Sequence, residues 1–125
     1  MSTYLTAFNN LVLKFNDDLI YIFPEENDFK VYKRGICMLN SANAKKICIL
    51  FKNYSIIYRT QIEIKDENFF LNNNYEHIIT NDETGNGIES IINKLKFYWN
   101  QLNDSNKEKI WDYLTSLLKL SDLID

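Results

Sequence analysis

Chain breakers are scarce in this sequence: 125 residues contain three glycines and one proline, Pro24. A fold built from many short strands needs a tight turn every few residues, so this poverty argues against an all-β architecture and for helices. Ligating residues are just as few. One histidine, His77, and two cysteines, Cys37 and Cys48, fall short of any zinc pattern, which needs clustered pairs. A single cysteine pair is also a poor disulfide framework, so both read as buried free thiols. No window offers the roughly 18 uncharged apolar residues of a membrane span. The first residues, Met1-Ser2-Thr3-Tyr4, lack the basic stretch of a secretory signal. The expected setting is soluble, reducing and intracellular, away from any membrane.

Catalytic patterns are missing as well. Gly85-Asn86-Gly87 is followed by neither a dinucleotide fingerprint nor a phosphate-loop lysine. Cys37 or Cys48 with His77 would be the sole Cys/His pair, and nothing in the local sequence supports it. Adjacent acids occur at Asp17-Asp18, Glu25-Glu26, Asp66-Glu67 and Asp82-Glu83. Neighbouring acids on a helix point about 100° apart, and acid–base work needs a desolvated carboxyl. Helix capping and solubility explain them. The expectation is a protein that is not an enzyme and needs no cofactor or metal.

What the chain has in plenty is apolar side chains: 46% of its residues are hydrophobic and 14% are aromatic. That is ample for one domain over residues 1–125 without staples, and far too apolar for disorder. Its spacing is helical. Tyr4, Leu5, Phe8, Leu11, Val12, Phe15, Leu19 and Ile22 follow a three/four rhythm, which predicts a first helix from Thr3 to Ile22. Phe23-Pro24 should end it, because the residue before proline is driven out of the α region. Glu25 and Glu26 should open a second helix with Phe29, Tyr32, Ile36 and Leu39 inward. Asn40 to Asn43 reads as a turn into a third helix with Ile47, Leu50, Phe51 and Tyr54 inward.

Residues 55–65 alternate like a strand at Gln61 to Lys65 but have no strand to pair with, so a further helix is expected there. Asp66 should cap a short turn carrying Phe69, Phe70 and Leu71. A loop spans the Asn72-Asn73-Asn74 run and residues 80–87. A helical hairpin closes the chain, with Ile88, Ile91, Ile92, Leu95, Trp99 and Leu102 on one stripe. Ser105 and Glu108 form a capping box for its second arm, whose stripe is Ile110, Tyr113, Leu114, Leu117 and Leu118. The fold class is therefore all-α: an irregular bundle of five to six helices.

Charge is distributed unevenly. Residues 29–65 hold eight of the fourteen basic side chains against one acid, Glu63, while the flanking stretches are acidic and the whole chain is −3. Such a chain either pairs its blocks on folding or shows a cationic face to an anionic partner. Lys30 and Arg34, with Lys33 beside them, fall on the outward side of the second helix. Lys45 and Lys52 share the outward side of the third with Ile49. Phe97 lies about 140° from its helix stripe, as a second packing face or an exposed anchor. Three readings compete for the basic block: internal pairing, an acidic protein partner, or phosphate contacts by lysine with stacking by Tyr32, Tyr54 and Tyr58.

Several stretches resemble a known family. Leu19 to Lys33 (LIYIFPEENDFKVYK), Asn40 to Lys46 (NSANAKK), Tyr58 to Leu71 (YRTQIEIKDENFFL) and the run from Ile92 to Leu123 resemble small uncharacterised proteins of nucleocytoplasmic large DNA (giant) viruses. The resemblance implies an all-helical protein in the host cytoplasm or virion, with no assigned activity. The Asn and Ile content, about a quarter of the chain, is compatible with such a source. Together these readings point to a non-enzymatic helical interaction module docking a viral or host protein through Lys30, Lys33, Arg34, Lys45, Ile49 and Lys52, with Phe97 as a second anchor. The alternatives are an accessory nucleic-acid binder using the same basic segment and a virion structural component.

Overall fold

The structure is a computed structural model that describes residues 3–71 and 88–124. Among them are α1 (Thr3–Ile22), α2 (Asp28–Ala42), α3 (Lys46–Glu63), the single turn α4 (Asn68–Leu71), α5 (Ile88–Tyr98), a 3-10 turn (Trp99–Gln101) and α6 (Asp104–Asp122), with no strand. The all-α expectation holds. The expected loop residues, His77 and Gly85 to Gly87 lie outside the described residues.

Helix α1 is the hub, packed by α2, α6 and α3. Leu5, Phe8, Val12, Phe15 and Leu19 are buried along one side, and Leu11, Leu13, Ile20 and Ile22 pack half-buried against the same core. Two asparagines on this helix are buried too. Asn9 Nδ2 donates to the Ala44 carbonyl at 2.9 Å, and Asn16 Nδ2 donates to the Phe29 carbonyl at 2.7 Å. These bonds fix α1 against the α2–α3 turn and the start of α2.

Another part of the core is an aromatic cluster. Phe70 of α4 stacks on Trp99 with centroids 4.0 Å apart and planes 10° from parallel, and Trp111 of α6 meets Trp99 edge-on at 5.7 Å. Trp99 Nε1 donates to Glu67 at 3.1 Å, so its polar edge is satisfied on burial. Trp111 is buried with the core.

Four local details differ from expectation. Helix α2 starts at Asp28, not at the glutamates; Glu26 instead accepts the Asp28 N–H at 3.1 Å. It also runs through Ala42, and the turn is carried by Asn43, whose Oδ1 accepts the Lys45 N–H at 3.1 Å. The stretch after Ser55 is no separate helix but the continuation of α3. Ile62 is fully buried and Ile64 exposed, because two residues on a helix turn the side chain 200°. At α6 the cap is Asn103, accepting the Asn106 N–H at 2.8 Å, so Ser105 sits inside the first turn and Glu108 reaches elsewhere.

Helix α3 ends without glycine. The Asp66 N–H donates to the Gln61 carbonyl at 2.9 Å and Lys65 N–H to Ile62 at 3.2 Å, the paired bonds of a Schellman end. Lys65 takes the left-handed position, φ 56°, which favours glycine.

Candidate functional site

The basic segment divides in two. Half of its cations are taken up by the chain's own acids and carbonyls. Lys33 pairs with Asp17 of α1 at 3.0 Å, and Lys65 with Glu108 of α6 at 2.6 Å. Arg59 spans Glu63 at 3.1 Å and Asp122 near the end of α6 at 3.0 Å. Lys52 Nζ donates to the carbonyl of Ile124. Hydrogen bonds to these carboxylates raise the pKa of Lys33, Arg59 and Lys65, as paired cations should.

Lys30, Arg34, Lys45 and Lys46 make no ion pair among the described residues and are exposed. Lys30 and Arg34 stand on α2, Lys45 and Lys46 where α3 begins. Of the sequence-nominated residues, the fold thus brings Lys45 and Ile49 to one end of α3, leaves Lys30 and Arg34 on the neighbouring helix, and commits Lys33 and Lys52 to internal bonds. A surface tracking phosphates with the whole segment loses half its charge to this pairing. Tyr54 and Tyr58 are likewise engaged, packed on each other at 5.0 Å and half-buried against the core.

What the fold exposes instead is apolar. Ile49, Ile56, Ile57 and the cap residue Ile64 are 47%, 77%, 71% and 66% exposed. At 100° per residue they fall, with Asn53 and Thr60, within an arc of about 100° on the side of α3 opposite its core residues Ile47, Phe51 and Ile62. No charged side chain interrupts the arc between Ile49 and Ile64. A solvent-facing helix side normally carries polar and charged groups. Helix α3 is instead apolar on two opposite faces, one of which nothing in the chain's described part covers.

Sequence reading found only Ile49 of this stripe. The signal was present: Ile49, Ile56, Ile57 and Ile64 repeat at helical spacing, but only if 46–63 is one helix, and the alternation at Gln61 to Lys65 hid that continuity.

Beside the stripe runs a groove of about 280 Å³ between α3 and α5, sharing Asn53 and Ile57 with it. Tyr54 and Lys96 line it. Burial pushes the Tyr54 hydroxyl pKa well up, and that hydroxyl has no hydrogen-bond partner among the described residues. Burial lowers the Lys96 ammonium, which lies 5.6 Å from the Phe69 ring centre and 6.0 Å from that of Tyr58. Phe97, one residue on, is 64% exposed and touches the Tyr98 ring edge-on at 5.0 Å. Of its two readings, the exposed one is what the fold shows.

The remaining polar clusters tie helices together. Lys94 of α5 pairs with Asp28 at 2.7 Å and Glu26 at 3.6 Å, while the Tyr98 hydroxyl donates to Glu26 at 2.6 Å. The Tyr98 bond, ahead of the Asp28 N–H and the Lys94 charge, holds the Glu26 carboxyl below the usual range. Tyr113 donates to Asp18 from α6 to α1, and burial first, then that bond, raises its pKa. Cys48 is buried and burial raises its thiol pKa; Cys37 is exposed, contrary to the buried thiol expected, because it follows Ile36 onto the outward side of α2. Among the described residues no group of three or more His, Cys, Asp or Glu converges as a metal site, and no helix is long and apolar enough to cross a membrane.

No protein-family model, curated protein or solved structure matches the chain.

Proposed function

We propose that this protein is a non-enzymatic helical interaction module whose docking surface is the outward face of α3. One observation carries this reading: the isoleucine stripe from Ile49 to Ile64, broken by no charged side chain and opposite the core on a helix that is otherwise well packed. The four exposures amount to about two and a half isoleucine side chains left in water, so covering them would recover about 4–8 kcal/mol of transfer free energy. Contiguous exposed apolar surface of this kind marks interaction sites on soluble domains. Among the described residues, Lys45 and Lys46 at the N-terminal end of the stripe, and Lys30 and Arg34 on α2, are the cations of the basic segment left free to select a partner with carboxylates at its rim. Phe97, across the groove, is a candidate outlying anchor. A viral source and a place in host cytoplasm or virion belong to the same proposal, supported by the sequence patterns quoted above.

A photo-crosslinking residue placed at Ile56, with Ser116 on the exposed side of α6 as control, tests this in the cell that makes the protein. Protein adducts from position 56 and none from position 116 are expected. Equal yields, or none from 56, would overturn the reading.

A further inference from the structure

The α3 stripe reads the same from either end. From its N-terminus it runs Ile49, Asn53, Ile56, and from its C-terminus Ile64, Thr60, Ile57, with spacings of four then three residues each way. A patch that pairs with itself about a two-fold axis sets each residue against the symmetry mate of another on the same patch, and this spacing lets the stripe do so in register. Resting on the docking role of this face, we infer that its occupant is a second copy of the chain, with the two α3 helices packed antiparallel about a two-fold axis crossing between Ile56 and Ile57.

In that arrangement Ile56 faces Ile56 of the second copy and Ile57 faces Ile57. Ile49 comes to the level of the second copy's Ile64, and Asn53 to that of its Thr60, where their side chains can share a hydrogen bond. Ile49 and Ile64 sit on either side of the middle of the arc, about 60° apart, so they interleave rather than collide. Both ends of the stripe carry charge of opposite sign. Lys45 and Lys46 begin α3, and Glu63 and Asp66 close it, with the Lys65 between them already paired to Glu108 and Glu63 shared with Arg59. Antiparallel packing sets the free lysines toward the acidic end of the second copy, and it opposes the two helix dipoles; a parallel pair would set lysine against lysine.

The stripe is short. Fifteen steps from Ile49 to Ile64 at a rise of about 1.5 Å give about 22 Å, and one helix face is about 10 Å wide. That footprint is well below the roughly 800 Å² per partner of a stable interface. The dimer is therefore weak, with a dissociation constant on the order of 10–100 µM.

Sedimentation equilibrium of the full chain from about 5 to 500 µM tests the inference across that range. The mass should rise from that of one chain, 14.9 kDa, toward twice it. Ile56→Glu with Ile57→Glu should weaken association at least tenfold. Met38→Glu, at a residue 73% exposed on α2, should leave it unchanged. Unchanged circular dichroism of the α3 variant keeps the comparison fair. If that variant does not fold, Ile56→Cys in a Cys37→Ser chain replaces it: mild oxidation should give a disulfide-linked dimer, and Met38→Cys in the same background should not. A single-chain mass at every concentration overturns self-pairing, as does a dimer indifferent to the Ile56/Ile57 change or an Ile56→Cys chain that never links. Position-56 adducts carrying a different protein beside a monomeric purified chain would sink this inference while leaving the docking role of α3 intact. A monomer with no adducts at all would sink both.

Discussion

Replacing Asn16 with aspartate changes one group on a fully buried side chain, and the cost should depend on pH. Asn16 Nδ2 donates to the Phe29 carbonyl at 2.7 Å, while Oδ1 has no partner among the described residues. A carbonyl can only accept, so the carboxylate of Asn16→Asp would set oxygen against oxygen unless it holds a proton. Full burial raises a carboxyl pKa by about 3–5 units, from about 3.9 to about 7–9. At pH 7 the chain must then take up a proton to fold, or bury the charge. Some three units at 1.36 kcal/mol each make this about 4 kcal/mol. Because the folded value lies above the unfolded one, the penalty vanishes below about pH 4 and grows as pH rises toward the folded value. At pH 4 the protonated acid can donate to Phe29 as the amide did, and the difference from the parent should fall under about 1 kcal/mol. Urea unfolding at both pH values, followed by the fluorescence of the buried Trp99 and Trp111, reads both numbers. Total stability of about 5–15 kcal/mol leaves room for such a loss. A penalty equal at the two pH values, or below about 1 kcal/mol at pH 7, would refute the view of Asn16 as a dry, single-donor contact.

Phe70→Ala removes the ring stacked on Trp99 and should cost about 3–5 kcal/mol with a shift in tryptophan emission; a loss under about 1 kcal/mol would mean the α4 turn is not part of the core. A thiol reagent should modify one cysteine per native chain quickly, at Cys37, and Cys48 only on unfolding, so two equally fast thiols would contradict the burial of Cys48. Glu26 and Asp122 are held below their ordinary values of 4.5 and 3.8, by the Tyr98 and Arg59 hydrogen bonds respectively. Depressed carboxyl values give stability that is complete above the ordinary pKa and lost as pH falls through the folded one. Acid titration of stability should therefore decline below about pH 4.5, and Glu26→Gln should flatten that limb; an unchanged slope would remove the Tyr98–Glu26 bond as its cause.

Helical periodicity made most of the fold readable. The limits of α1, the stripe of α5 and the stripe of α6 follow from three/four spacing alone, since that spacing suffices to bury one side of a helix. Helix ends were less legible. Asn103 and Ser105 are both good caps by type, and only the path of the chain out of the Trp99 turn selects Asn103. Lys65 in a left-handed position leaves no trace in a sequence where glycine would be expected. Asn9 and Asn16 look like solvent-facing residues, and their burial depends on two carbonyls supplied by other parts of the chain.

The candidate surface was legible in part. Phe97 and Ile49 stood out because each lies off its helix stripe, but Ile56, Ile57 and Ile64 could be assigned to the core as easily as to solvent. Charge was misleading in a different way. The basic segment is a fact of the sequence, yet the availability of each cation depends on whether an acid on α1 or α6 lies within about 4 Å of it.

Sequence by itself determined that the chain is helical, which residues share a helix side, and that its charge is segregated, because these depend on neighbours within a few positions. Only the tertiary structure decided which of α3's two apolar sides is covered, and which lysines keep their charge free. Both depend on groups tens of residues away, and no local rule of spacing carries that information.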